Sequence, residues 1–76
     1  MKVKVGNLYR HYKGNIYKVL ALAHDSENPD LIRVVYQGLY EDPVFGKNPV
    51  WDRPYDMFIE SNIFNGKFQQ RFTEVE

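Results

Sequence analysis

Residues 8–24 read Leu8-Tyr9-Arg10-His11-Tyr12-Lys13-Gly14-Asn15-Ile16-Tyr17-Lys18-Val19-Leu20-Ala21-Leu22-Ala23-His24. Two runs rich in aromatic and aliphatic residues flank Lys13-Gly14-Asn15. Gly and Asn accept the positive φ that a tight turn demands. The stretch therefore predicts a short strand, Leu8 to Tyr12, turning into a longer one, Ile16 to His24. On the longer strand Tyr17, Val19, Ala21 and Ala23 share one face. Ile16, Lys18, Leu20 and Leu22 share the other, which is partly apolar as well. Apolar residues on both faces describe a strand that bends across a small barrel and serves two sheets.

The reading extends outward from there. Asp25-Ser26-Glu27-Asn28-Pro29-Asp30 is polar and turn-forming. Leu31 to Tyr40 is a third strand with Ile32, Val34, Tyr36, Gly38 and Tyr40 on one face, and Gly38 marks a bulge or bend. Glu41 to Val50, punctuated by Pro43, Gly46 and Pro49, reads as a long loop, a length associated with function or mobility. Trp51 to Pro54 is a short fourth strand. Tyr55 to Glu60 fits one helical or 3-10 turn that drops Met57 or Phe58 into the core. Asn65-Gly66 between apolar residues is a strong hairpin signal, and Gln69 to Val75 closes the chain as a strand. The expectation is an all-β fold: one domain over residues 1–76, a small SH3-like β-barrel of about five strands with one short helical turn. Closure removes the edges that an open sheet of this size would expose.

Composition narrows the function classes. The chain has 76 residues, of which 43% are hydrophobic and 26% charged, ordinary values for a folded domain rather than a disordered one. Ten Lys and Arg balance ten Asp and Glu, so no charge excess supports binding to nucleic acid through a field over the whole surface. Cysteine is absent, which excludes disulfides and thiolate chemistry. The longest apolar run, Val19 to Ala23, is far shorter than the roughly 20 residues of a spanning helix, and the first residues form no signal-peptide stretch. The expectation is a cytoplasmic protein with no membrane association.

Catalytic chemistry finds little support. His11 and His24 lie on different strands without a tight ligand spacing, so no metal or other cofactor is expected. His24, Asp25 and Ser26 carry the letters of a nucleophile triad, but adjacent residues cannot supply its geometry. The aromatic content, 16%, is the outlier. Arg10 and Tyr12 share one face of their strand, and Trp51 and Arg53 share a face of theirs. Tyr40 and Phe45 flank or lie within the long loop. Convergence of Arg10, Tyr12, Trp51 and Arg53 would make an aromatic and guanidinium surface able to stack bases, hold a peptide or bind a planar anion. The competing use of the same rings is to fill the core, since each aromatic buries about 150–250 Å².

Gly6-x-Leu8-Tyr9-Arg10-His11-Tyr12-Lys13-Gly14-x-x-Tyr17-x-Val19 resembles the opening of the bacterial family of domain of unknown function 1653. Ala23 to Asn28, Val34-Val35-Tyr36-x-x-Leu39-Tyr40, Trp51-Asp52-Arg53-Pro54-x-x-Met57-Phe58 and Gly66 with Arg71-Phe72 resemble its later blocks, so the similarity spans residues 6–72. Asp25, Asn28 and Gln70 depart from the pattern. The resemblance implies an SH3-like barrel, usually a small stand-alone bacterial protein, and assigns no catalytic residues.

The expected function is a non-enzymatic binding module. Its groove would draw on Arg10, His11, Tyr12, Glu27, Tyr40, Trp51 and Arg53, with Glu27 as the first-choice partner of Arg53. The partner would be a protein surface or single-stranded RNA, and the protein itself a monomer or weak homodimer. The alternative is a small enzyme or small-molecule sensor that uses His11, Ser26 and Glu27.

Overall fold

The computed structural model describes residues 2–75. Its elements run β1 (Leu8–His11), β2 (Ile16–His24), β3 (Ile32–Gly38), β4 (Glu41–Asp42), β5 (Gly46–Lys47), β6 (Val50–Pro54), α1 (Tyr55–Phe58), β7 (Ser61–Phe64), β8 (Lys67–Gln70) and β9 (Phe72–Glu74). Five antiparallel strands lie side by side in the order β6-β3-β2-β1-β9, while β4–β5 and β7–β8 form two-stranded ribbons of their own. No helix among the described residues is long and apolar enough to cross a membrane.

The all-β expectation holds, but the closed barrel of about five strands does not. Among the described residues there are nine strands, and β6 and β9 end the main sheet without pairing with each other. The edges are managed by other means. β9 has only three residues, and β6 runs at Pro54 directly into α1. The apolar face is covered by Phe58 from α1 and Val3 from the N-terminal segment, so a lid rather than closure excludes water.

The core is Val3, Tyr9, Val19, Val34, Tyr36, Phe58 and Phe72. At its centre Phe58 and Phe72 stack with centroids 4.0 Å apart and planes 7° from parallel. Tyr9 and Tyr36 meet Phe58 edge-on at 5.5 and 5.3 Å. Edge-to-face contacts suit the quadrupoles of such rings. The helical turn places Phe58 inward and leaves Met57 exposed.

The two-faced pattern of β2 has a local cause. Val19 pairs with Tyr36 and Ala21 with Val35, so Leu20 is the extra residue of a β-bulge. The bulge reverses the alternation. Val19 on one side of it and Leu22 on the other both reach the core, while Leu20 faces out. Asn65 (φ 56°) and Gly66 (φ 75°) form the expected tight turn between β7 and β8. The segment 41–50 is not a plain loop. Asp42 Oδ1 accepts from the amides of Val44 and Phe45 at 2.8 and 2.9 Å and folds it into the β4–β5 ribbon. The final strand breaks at Arg71, whose amide donates to the Glu60 carbonyl (2.9 Å) and whose guanidinium pairs with the Glu60 carboxylate (2.7 Å). Arg71 thus clamps the base of the β7–β8 hairpin to the end of α1.

Truncation of Phe58 to Ala is expected to cost about 3–5 kcal/mol, a large part of the stability of so small a domain. Met57→Ala, on the exposed side of the same turn, is expected to stay within about 0.5 kcal/mol. Urea unfolding followed by Trp51 fluorescence measures both, and similar midpoints for the two variants would contradict this core.

Candidate functional site

Five strands and one loop build a concave cup beside the core, on the sheet face that also meets Phe58 of α1 through Tyr36 and Phe72. β3 and β6 pair with Trp51 opposite Tyr36 and Arg53 opposite Val34. Tyr17 on β2 lies opposite Gly38. Gly38 has no side chain, and the ring of Tyr40 takes the vacated space. A Cβ on Gly38 would stand 2.7 Å from Tyr40 Cζ, closer than packed atoms tolerate. Tyr40 therefore folds back over the sheet, edge-on to Tyr17 at 5.5 Å and 87°. His11, at the end of β1, and Phe72, from β9, complete the lining of a cavity of about 210 Å³.

The polar groups of the cup are ordered by one another. Trp51 Nε1 donates to the Tyr40 hydroxyl at 3.2 Å, and that hydroxyl also lies 3.2 Å from Tyr17 Oη. Arg53 Nε donates to the Tyr36 hydroxyl at 3.2 Å, and its guanidinium lies 5.9 Å from the centroid of Phe72. His11 Nδ1 accepts the backbone N–H of Lys13 at 3.1 Å, which leaves the proton of the neutral ring on Nε2. Burial, followed by the charges of Arg53, Lys13 and Arg71, pushes the His11 pKa down to about 4. Burial first, and then the Tyr40 hydroxyl, push the Tyr17 phenol above its usual range. The cup is therefore aromatic, with a neutral imidazole and one guanidinium on its wall.

Of the residues singled out in the sequence, His11, Tyr40, Trp51 and Arg53 come together here, and three do not. Arg10 is exposed on β1 and lies outside the lining. Tyr12 stacks on Phe64 at 4.8 Å and 13°, with His11 against it at 4.3 Å. It belongs to a ladder that Arg71 extends at 4.6 Å over Phe64. Glu27 sits in the β2–β3 turn, where its amide donates to Asp25 Oδ1. Arg53 is held by Tyr36 and Phe72 rather than by Glu27. Ser26 occupies the same turn, separated from His11 by the nine-residue length of β2, roughly 26 Å at about 3.3 Å per residue. His11, Ser26 and Glu27 accordingly form no common site. Tyr17, Tyr36 and Phe72 are the lining residues that the sequence did not single out. Their position on the same sheet face as Trp51 was available only through the register.

Two other cavities are less suited to a ligand. One of about 200 Å³ opens beside Lys2 and is walled by the core residues Val3, Tyr9, Phe58 and Phe72. Another of about 120 Å³ lies between Asp30–Ile32 and Tyr55–Asp56. Neither gathers polar side chains held in place by one another, the feature that marks a specific site.

The comparisons with known proteins agree with this architecture. A family model described as protein of unknown function (DUF1653) matches residues 7–74. A crystal structure of a DUF1653 protein from Bordetella bronchiseptica is 32% identical, covers 97% of this chain and 88% of that one, and superposes with a TM-score of 0.80. No curated protein matches the chain.

The depressed His11 pKa fixes the sign of a pH effect. The unfolded chain takes up a proton near the ordinary pKa of 6.5 and the folded chain only near 4, so stability falls as pH drops through that window and levels off below it. In His11→Asn, whose side-chain oxygen can replace Nδ1 as acceptor, the fall between pH 6.5 and 4 should be visibly shallower. Urea midpoints across that range test this, and parallel curves for the two proteins would refute it.

Proposed function

Because the chain belongs to the DUF1653 family, which carries no assigned activity, its function must be argued from the site, and we propose that it is a non-enzymatic, cytoplasmic binding module that seats one end group of a protein partner in the cup. The observation that carries this reading is the arrangement of the walls. Tyr17 meets Tyr36 at 76° and Tyr40 at 87°, and Phe45 meets Trp51 at 84°. Rings set edge to face enclose a socket. Single-stranded RNA favours instead a platform on which successive bases lie flat.

The rim supports the same choice. Val44 and Phe45 are exposed at 78 and 65%, and Phe45 packs against Trp51 at the mouth. Apolar residues around a polar socket suit a protein surface, where a buried anchor is ringed by contacts that exclude water. The absence of a net charge has no bearing on such a partner, whereas it removes much of the attraction for RNA.

Panning a random peptide library against the protein, followed by titration of the selected peptides against Trp51 fluorescence, tests the reading. Selected peptides should lose at least tenfold in affinity with Trp51→Ala and with Arg53→Lys, which keeps the charge but loses the planar fork. Mixed-sequence single-stranded RNA should leave Trp51 emission unchanged at low salt. Saturable quenching by RNA, or peptides that bind the variants equally well, would overturn it.

A further inference from the structure

The hydrogen-bond bookkeeping of the cup specifies the chemistry of its occupant. Arg53 is donor-only, so its Nε bond to Tyr36 uses the hydroxyl oxygen as acceptor and leaves the Tyr36 proton unassigned. Trp51 is likewise donor-only and uses the Tyr40 oxygen. Whichever of Tyr17 and Tyr40 donates to the other, one of their two protons is left over. His11 has its Nδ1 occupied by the Lys13 amide and offers only Nε2–H. Among the described residues, Arg53 Nη1 and Nη2 have no hydrogen-bond or ion-pair partner. No Asp or Glu lines the cavity.

The side chains of the cup thus present an excess of donors and one guanidinium without an ion-pair partner, since Glu60, the carboxylate that feels its charge, is paired with Arg71 outside the lining. An occupant with its own N–H groups would leave them unpaired, and a buried unpaired polar group costs the full penalty of its lost hydration. An occupant that only accepts meets every free donor. The cation and its two parallel terminal nitrogens match a planar, two-oxygen anion in bidentate fashion. Apolar walls then hold the carbon body that carries the anion.

Resting on the reading of the cup as a protein-binding socket, we propose that the group it captures is a carboxylate of the partner, borne on a short apolar or flexible stem. Both a chain-terminal carboxylate and an acidic side chain carry this chemistry. Its capture should sharpen the discrimination between acid and amide far more than it raises affinity, because the amide keeps the shape and loses the match.

Two-dimensional ¹⁵N NMR of the intact protein, read at the Trp51 indole and Arg53 Nε signals, tests this with three acetylated dipeptides. Ac-Gly-Phe with a free C-terminus, Ac-Gly-Phe-amide and Ac-Gly-Glu-amide present a terminal carboxylate, none, and a side-chain carboxylate. Saturable shifts at both signals from one or both acids, at least tenfold weaker from Ac-Gly-Phe-amide and weakened similarly in Arg53→Lys, are the expected result. Which acid binds more tightly identifies the source. Equal binding of the amide would overturn the carboxylate while leaving the socket standing. No shift from any dipeptide would also overturn it. The socket is judged separately by the library peptides, which need carry no carboxylate. Retention of the unliganded Trp51 indole shift in Arg53→Lys controls for loss of fold.

Discussion

The stack of Phe58 on Phe72 is the contact on which the other parts of this protein depend. It joins the only helical turn among the described residues to the last strand, across a sheet whose two edges never meet. Closure is the usual way for so small a β-domain to dispose of its edges. Here the apolar face is shut by a residue from outside the sheet. Phe58 must then be anchored, and Arg71 anchors it. The guanidinium donates to the Met57 carbonyl at 2.9 Å and pairs with Glu60, holding the chain on both sides of Phe58 at the end of α1.

Phe72 has a second neighbourhood. It lies edge-on to His11, Tyr17 and Tyr36, and faces the Arg53 guanidinium. The ring that closes the core is therefore also the floor of the cup. A site built this way is fixed by core packing, and its geometry is set before any partner arrives. Such preorganisation lowers the ordering cost of binding. Charge follows a similar economy. Arg71 is matched by Glu60, and Arg33 by Asp52 and Asp25 on the surface. Arg53 has no ion-pair partner among the described residues and is held by a phenol and an aromatic ring, while Glu60, which feels its charge, is paired with Arg71, so the Arg53 charge remains available within a chain that is neutral as a whole.

The local elements were legible in the sequence where one physical cause dominated. Ile16–His24 was bounded by two turns and emerged with those limits. Asn65-Gly66 dictated its hairpin through backbone conformation alone. The helical turn was expected near Tyr55, although sequence left Met57 and Phe58 equivalent and only packing separates them. The openness of the sheet was not legible. Strands of two residues, such as β4 and β5, are too short to show a period, and nothing in the order of residues says that a helix will cover an edge. The choice between core and groove for the aromatic residues was ill-posed, because Phe72 and Tyr36 serve both. Glu27 was a reasonable partner for Arg53 by charge. The long β2 strand, however, carries Glu27 away from the cup, and Tyr36, two residues along β3 from the Val34 that faces Arg53, takes the contact.

His11 illustrates how placement decides the chemistry of a side chain. A histidine beside tyrosines and an arginine invites a role in proton transfer, for which it must offer a free lone pair near neutral pH. The turn after β1 removes that option. With Gly14 at φ 112°, its amide donates to the His11 carbonyl at 2.7 Å, and the same tight turn brings the Lys13 amide onto Nδ1. Burial, and then the charges of Arg53, Lys13 and Arg71, make a second proton on the ring unfavourable. The imidazole is left with a single N–H and no open acceptor, a fixed donor. The glycine turn that was legible first in the sequence thus sets the polarity of one wall of the cup, and it does so through backbone geometry rather than through any residue that lines the cavity.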